Sequence, residues 1–116
     1  MGETVCEILV AEDDNSVLEI IVEVLQAHNY NVITAGNGLE ALERIKDAVP
    51  DLILSDIMMP RINGLELKEI LRKNRSLNSI PFIFLSAKSH SDDIRQGMNL
   101  GADDYIIKPF NAKELV

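Results

Sequence analysis

Short runs of consecutive apolar residues alternate along this chain with stretches in which apolar residues recur every three or four positions. The runs are Ile8-Leu9-Val10-Ala11, the Val32-Ile33 pair within Tyr30–Thr34, Leu52-Ile53-Leu54, Ile80–Leu85 and Tyr105-Ile106-Ile107. An uninterrupted run suits a strand buried on both faces, as in a parallel sheet. In the intervening stretches, Val17, Ile21, Val24 and Leu25 fall on one helical face, as do Leu39, Leu42 and Ile45, then Leu67, Ile70 and Leu71, then Ile94 and Met98. Each set is expected to point inward. Start signals agree: Asp14 is placed to cap the first helix, and Asn37 with Glu40 and Asn63 with Glu66 have capping-box spacing. Pro50 and Gly101 mark stops, a helix is expected over Ser89–Leu100, and Asn111 opens a last one. Strand then helix, five times over, predicts a parallel sheet with helices on both faces. Right-handed crossovers leave few topologies, and the order 2-1-3-4-5 sets the ends of strands one and three side by side.

The 116 residues suffice for one domain with its own core. A formal net charge of −8, from 11 basic and 19 acidic residues, argues against binding nucleic acid through a basic face. It leaves room for a metal cation or a basic partner. The single Cys6 cannot form an internal disulfide, which points to a reducing compartment. No run approaches a membrane span and no signal-peptide pattern is present.

Chemistry gathers at the carboxyl ends of the predicted strands, the edge where open α/β sheets bind ligands. Strand one ends in Glu12 and Asp13, strand three in Asp56, strand four in Ser86 and strand five in Lys108. An Asp after a strand commonly only starts a turn. Acids on two adjacent strands at the switch point are harder to explain by packing. Two unit charges ~4 Å apart repel by about 4 kcal/mol at an effective dielectric of ~20. A cation must offset this, or one acid must stay protonated. Oxygen ligands with open positions suit Mg²⁺, and no His or Cys is placed for zinc. A carboxylate can attack phosphorus to give an aspartyl phosphate. Asp56 is the best candidate nucleophile, Asp13 the direct metal ligand and Glu12 a ligand acting directly or through water. Lys108 would neutralise charge on the phosphoryl group and Ser86 would donate a hydrogen bond to it.

These residues resemble those of the receiver (CheY-like) domains of two-component response regulators, from about Glu7 to Val116. Glu12-Asp13 is similar to the family's metal-binding pair, and Asp56-Ile57-Met58-Met59-Pro60 with Gly64 to the stretch around its phospho-acceptor. Ser86-Ala87 and Gly101–Phe110 resemble its fourth- and fifth-strand signatures. All four motifs in order, at these spacings, are highly specific. The resemblance implies a flavodoxin-like α/β fold with the five-stranded order 2-1-3-4-5, a single receiver domain over residues 1–116. By the same resemblance the last helix, from Asn111, is expected to be truncated, and the chain to be cut from a longer one and less stable than a longer version.

The resemblance further implies that Asp56 accepts a phosphoryl group from a histidine of a sensor kinase or phosphotransfer protein, with Mg²⁺ or, in its place, Mn²⁺. The Met58 backbone carbonyl would complete the metal ligands, and the bond before Pro109 would be cis. Ser86 would move toward the phosphoryl group and Tyr105 would turn inward, changing the surface from the fourth helix through strand five to the fifth helix. That surface would control an output domain or protein, with homodimerisation on phosphorylation. The chain would be a cytoplasmic signalling domain in a phosphorelay, not an enzyme beyond its own phosphoryl transfer and slow autodephosphorylation, and would bind neither nucleic acid nor membrane. Three other readings fit less well. A phosphohydrolase would usually carry a second acid where Met58 stands, a phosphorylation-independent module would not need the full residue set, and a flavin domain would need a phosphate-cradling first loop where the acids lie.

Overall fold

The structure, a computed structural model, describes residues 6–87, 95 and 104–108; Ser86, Ala87 and residues 104–108 are described by their place in the sheet alone. In chain order the elements are β1 (Glu7–Ala11), α1 (Asn15–Ala27), β2 (Asn31–Ala35), α2 (Gly38–Asp47), β3 (Leu52–Asp56), α3 (Gly64–Arg72), β4 (Phe82–Ala87) and β5 (Asp104–Lys108). The strands pair in parallel in the order β2-β1-β3-β4-β5, the order the sequence implied. The helices expected over 89–100 and from Asn111, with their inward residues Ile94 and Met98, lie outside the described residues.

The apolar runs are continuous because both faces of the sheet are covered. Leu9, Ala11, Ile53, Phe82 and Phe84 point to the face packed by α2 and α3, where the two phenylalanine rings meet with centroids 4.8 Å apart. Ile8, Val10, Leu54 and Leu85 alternate onto the face packed by Ile21 and Leu25 of α1. Burying such a side chain stabilises by about 1.5–3 kcal/mol. Truncating the fully buried Ile53 to alanine would cost about 2–5 kcal/mol, the cavity included.

The caps form largely where the sequence placed them. Asp14 accepts from the Ser16 and Val17 N–H groups at 2.9 and 3.4 Å, and His28 Nδ1 lies 3.0 Å from the Val24 carbonyl oxygen. Asn63 and Glu66 form a full capping box. At α2 the box is only half made: Asn37 accepts from Glu40 N–H, but the Glu40 carboxylate reaches back to the Gly36 N–H, one residue before the cap.

Two helix faces differ from expectation. Leu39 and Ile70 are 40% and 43% exposed, while Gly38, Ala41 and Ile45 of α2 and Gly64, Leu67, Lys68 and Leu71 of α3 face the sheet. Close backbone approaches set this roll. A β-carbon on Gly38 would come within 2.7 Å of Ile62 Cβ, and one on Gly64 within 2.9 Å of Ile57 Cα. Lys68 is buried, with its ammonium 5.5 Å from the centroid of the Phe82 ring. The fourth strand also starts later than its apolar run, because Pro81 has no N–H to pair; its carbonyl accepts from Ile53 N–H instead.

Candidate functional site

β1 and β3 are neighbours with Ala11 opposite Ser55, so the residues that follow, Glu12 and Asp56, emerge together at the carboxyl edge. Glu12 is fully buried and Asp56 is 6% exposed, while Asp13 faces solvent. One carboxylate oxygen from each of the three lies within 4.8 Å of the others, the one such group among the described residues.

The chain holds these acids through its backbone. Glu12 N–H donates to the Ala35 carbonyl at 3.0 Å, and the Glu12 carboxylate accepts from Asp14 N–H at 3.1 Å. Beyond Asp56 the ladder runs one residue further, Ile57 N–H donating to the Leu85 carbonyl at 3.0 Å. The Ser55 hydroxyl donates to the Asp56 carbonyl at 2.9 Å, and Met58 N–H points back at Asp56 Oδ1 at 3.3 Å.

The loop that follows is closed at its base by Gly64 N–H on the Ile57 carbonyl, 2.9 Å, and tied to α2 by Gly38 N–H on the Ile62 carbonyl, 2.9 Å. Within it Ile57 and Met59 are buried anchors, whereas the Met58 side chain is 53% exposed. Arg61 at the tip has φ 66°, the left-handed region that favours glycine.

An all-oxygen set of this kind is hard and anionic. It fits a divalent cation such as Mg²⁺, and it lacks the nitrogen and sulfur donors zinc prefers. Of the residues expected at the site, Glu12, Asp13 and Asp56 come together and Met58 adjoins them. In the sheet register Ser86 pairs with Ile107 and Ala87 with Lys108, so Ser86, the last residue but one of β4, and Lys108, the last of β5, both lie toward this same edge. The side chains of Ser86, Lys108 and Tyr105, and all of Pro109, lie outside the described residues. Gly64, which the sequence sets only in the stretch around the phospho-acceptor, is packed directly on the Asp56 backbone.

The family model for the response regulator receiver domain matches residues 8–116. The chain belongs to this family. Receiver domains are parts of two-component signalling systems and are not classical enzymes; phosphorylation and Mg²⁺ are typical of them. Over 109 residues the chain is 39% identical to the DNA-binding response regulator MtrA of Mycobacterium tuberculosis, covering 94% of this chain and 46% of that one. It is 38% identical over the same length to the alkaline phosphatase synthesis transcriptional regulatory protein PhoP of Bacillus subtilis, covering 94% and 45%. This receiver domain thus spans about half the length of the curated relatives it matches. Among solved structures it is similar to a putative response regulator of Chloroflexus aurantiacus, with 32% identity, TM-score 0.92, and 97% and 92% of the two chains covered. It is also similar to the chemotaxis response regulator CheY4 of Vibrio cholerae, with 30% identity, TM-score 0.90, and 97% and 93% covered. Among the described residues, no helix of the receiver domain is long and apolar enough to cross a membrane.

Proposed function

We propose that this receiver domain is a phospho-accepting switch in which Asp56 takes a phosphoryl group from a phosphohistidine of a sensor kinase or phosphotransfer protein. The observation that carries the reading is the convergence of the Glu12, Asp13 and Asp56 carboxylates, with Asp56 held by the backbone at the mouth of a buried sheet edge. In the transfer, an Asp56 carboxylate oxygen forms a bond to phosphorus as the phosphorus–nitrogen bond breaks, and the histidine leaves with the electron pair. Glu12, Asp13, Asp56 and the Met58 carbonyl would hold Mg²⁺, which supplies positive charge next to the phosphoryl oxygens. The Lys108 ammonium, at the end of β5, adds a second positive charge there, and the Ser86 hydroxyl, at the end of β4, donates a hydrogen bond to a phosphoryl oxygen.

Phosphorylation then biases an equilibrium between two arrangements. Ser86 follows the phosphoryl group, Tyr105 turns inward, and the surface from the fourth helix through β5 to the fifth helix changes toward the state that engages an output domain or protein, or a second copy. This is work for the cytoplasm, done within residues 1–116 as one receiver domain.

Incubation with acetyl phosphate and Mg²⁺ tests the assignment. Intact mass should show one added phosphoryl group, absent without the metal and absent from Asp56→Asn. Persistence of the label on Asp56→Asn would refute the site.

A further inference from the structure

Two asparagines, Asn37 and Asn63, stand directly before a glycine, and each is the cap of a helix, α2 and α3. Asparagine before glycine is the dipeptide most open to spontaneous deamidation, because a residue without a β-carbon leaves its amide nitrogen unscreened. Packing forces the glycine here: a β-carbon on Gly38 would lie 2.7 Å from Ile62 Cβ, and one on Gly64 2.9 Å from Ile57 Cα. Capping does not force the asparagine, since serine or aspartate serves as well. The two pairs also meet in space. Gly38 N–H donates at 2.9 Å to the carbonyl of Ile62, the residue before Asn63.

The fold holds both pairs closed. Deamidation needs the glycine nitrogen to give up its proton and swing into plane with the asparagine β-carbon. At ψ of 174° for Asn37 and 175° for Asn63 the nitrogen is turned out of that plane. The Gly38 N–H is tied to Ile62 and the Gly64 N–H to the Ile57 carbonyl, the latter also at 2.9 Å. Both carboxamides are held over the first turn of their helices by the Glu40 and Glu66 N–H groups at 2.8 Å. The locks are unequal. The Glu66 carboxylate also accepts the Asn63 N–H at 3.0 Å, while the matching Glu40 carboxylate accepts from the Gly36 N–H instead. The Asn37 lock moreover joins two separate elements, so it opens whenever the loop after β3 lifts from α2.

We propose that Asn37 is a deamidation site latched by the loop after β3, and that isoaspartate at this position releases the loop. In the open state the deprotonated Gly38 nitrogen attacks the side-chain carbonyl carbon of Asn37. The bond from that carbon to the side-chain nitrogen breaks, and the nitrogen takes up a proton and leaves as ammonia. Water then opens the five-membered imide at either carbonyl. One opening gives aspartate, whose carboxylate still caps α2. The other gives isoaspartate, whose main chain runs through the β-carbon and is one methylene longer. Gly38 is packed too tightly on Ile62 to absorb that length, so its tie to the Ile62 carbonyl is lost. The loop set free is the one that leads out of Asp56 and carries Met58, whose N–H points at Asp56 Oδ1.

The test ages the chain in warm, mildly alkaline buffer, once folded and once in urea. Peptide mass mapping reads the exchange of ammonia for water, and enzymatic methylation of isoaspartate identifies that product. In urea Asn37 and Asn63 should convert at similar rates. In the folded chain Asn37 should slow about tenfold or more, and Asn63 further still. Met59→Ala withdraws a buried anchor of the loop and should speed the folded reaction at Asn37 several-fold; melting curves check that this variant folds. Chain carrying isoaspartate at 37 should exchange its Gly64 amide hydrogen several-fold faster than fresh chain. Asn37→Ser, which keeps the cap, should show no such change after the same ageing. These readouts use neither metal nor phosphoryl donor, so they stand apart from the phospho-accepting reading. Equal rates at Asn37 in the folded and urea-treated chain, faster conversion of Asn63 than of Asn37 in the folded chain, or unchanged Gly64 exchange once isoaspartate has formed overturns the proposal.

Discussion

Gly64 sits against the backbone of Asp56 so closely that a β-carbon there would collide with the Asp56 carbonyl oxygen and lie 2.9 Å from Ile57 Cα. These are main-chain atoms that cannot swing aside, and they belong to Asp56, which carries the central carboxylate, and to the residue after it. Gly64→Ala should therefore destabilise the fold by about 1–3 kcal/mol, as overpacking does. It should also weaken Mg²⁺ binding, because the strand end must shift. Gly36→Ala is the control, since its β-carbon would meet only the Glu40 carboxylate at 3.7 Å. Urea melts of the two variants should separate clearly; equal midpoints would show that the loop yields and that Gly64 does not fix Asp56.

Three carboxylates with oxygens within 4.8 Å of one another repel in the absence of a cation. Asp13 is the exposed member and the one best replaced without disturbing packing. Asp13→Asn should raise the melting temperature of the metal-free chain, by the equivalent of about 1 kcal/mol after solvent and salt screening. It should also lower Mg²⁺ affinity about tenfold or more. With the wild type, free Mg²⁺ at ten times its Kd should stabilise by about 1.4 kcal/mol, and a chelator should remove that gain. A variant that melts lower without metal and binds Mg²⁺ as tightly as the wild type would contradict the cluster's role.

Met58 directs its N–H to Asp56 Oδ1 and its side chain outward, so a thioether borders the site's mouth. A thioether is a weak acceptor and holds water poorly. The aspartyl phosphate should therefore hydrolyse slowly, with a half-life nearer hours than seconds at room temperature. Met58→Asn, which keeps the backbone contact and adds a polar amide, should shorten it several-fold. Decay of the labelled protein, followed by intact mass after removal of acetyl phosphate, measures both; a half-life of seconds in the wild type would remove the argument.

Asp56 could be found in the sequence because a lone carboxylate ends an apolar run, and Glu12-Asp13 because an acidic pair ends another. Local pattern does not say that they meet; that comes from β1 lying beside β3, which follows from crossover rules and from the family resemblance. Leu39 and Ile70 could not be placed the same way. Their helices are rolled by contacts of Gly38 with Ile62 and of Gly64 with Asp56 and Ile57, which a helical wheel does not contain. Lys68 was hidden by its charge: it falls within the buried face of α3, where its apolar stem and the Phe82 ring accommodate it. Glu40 shows a subtler limit, since its spacing from Asn37 is that of a capping box while its carboxylate serves Gly36.

At the opposite edge of the sheet, Asp51 accepts the Glu7 N–H at 2.7 Å and lies near Cys6. Burial, and next the Asp51 charge, push the Cys6 thiol above its ordinary value of 9.0. The folded chain therefore holds the thiol proton more tightly than the unfolded chain does. The resulting contribution to stability is complete below the unfolded value and is lost as pH rises through and beyond it. Relative to Cys6→Ser, which does not titrate there, the wild type should lose stability above about pH 9, near the free thiol's range. Alkylation of Cys6 by iodoacetamide at pH 8 should be slower than that of free cysteine. Asp51→Asn keeps an acceptor for the Glu7 N–H and removes the charge, and should speed the reaction a few-fold; an unchanged rate in that variant would leave burial as the sole cause.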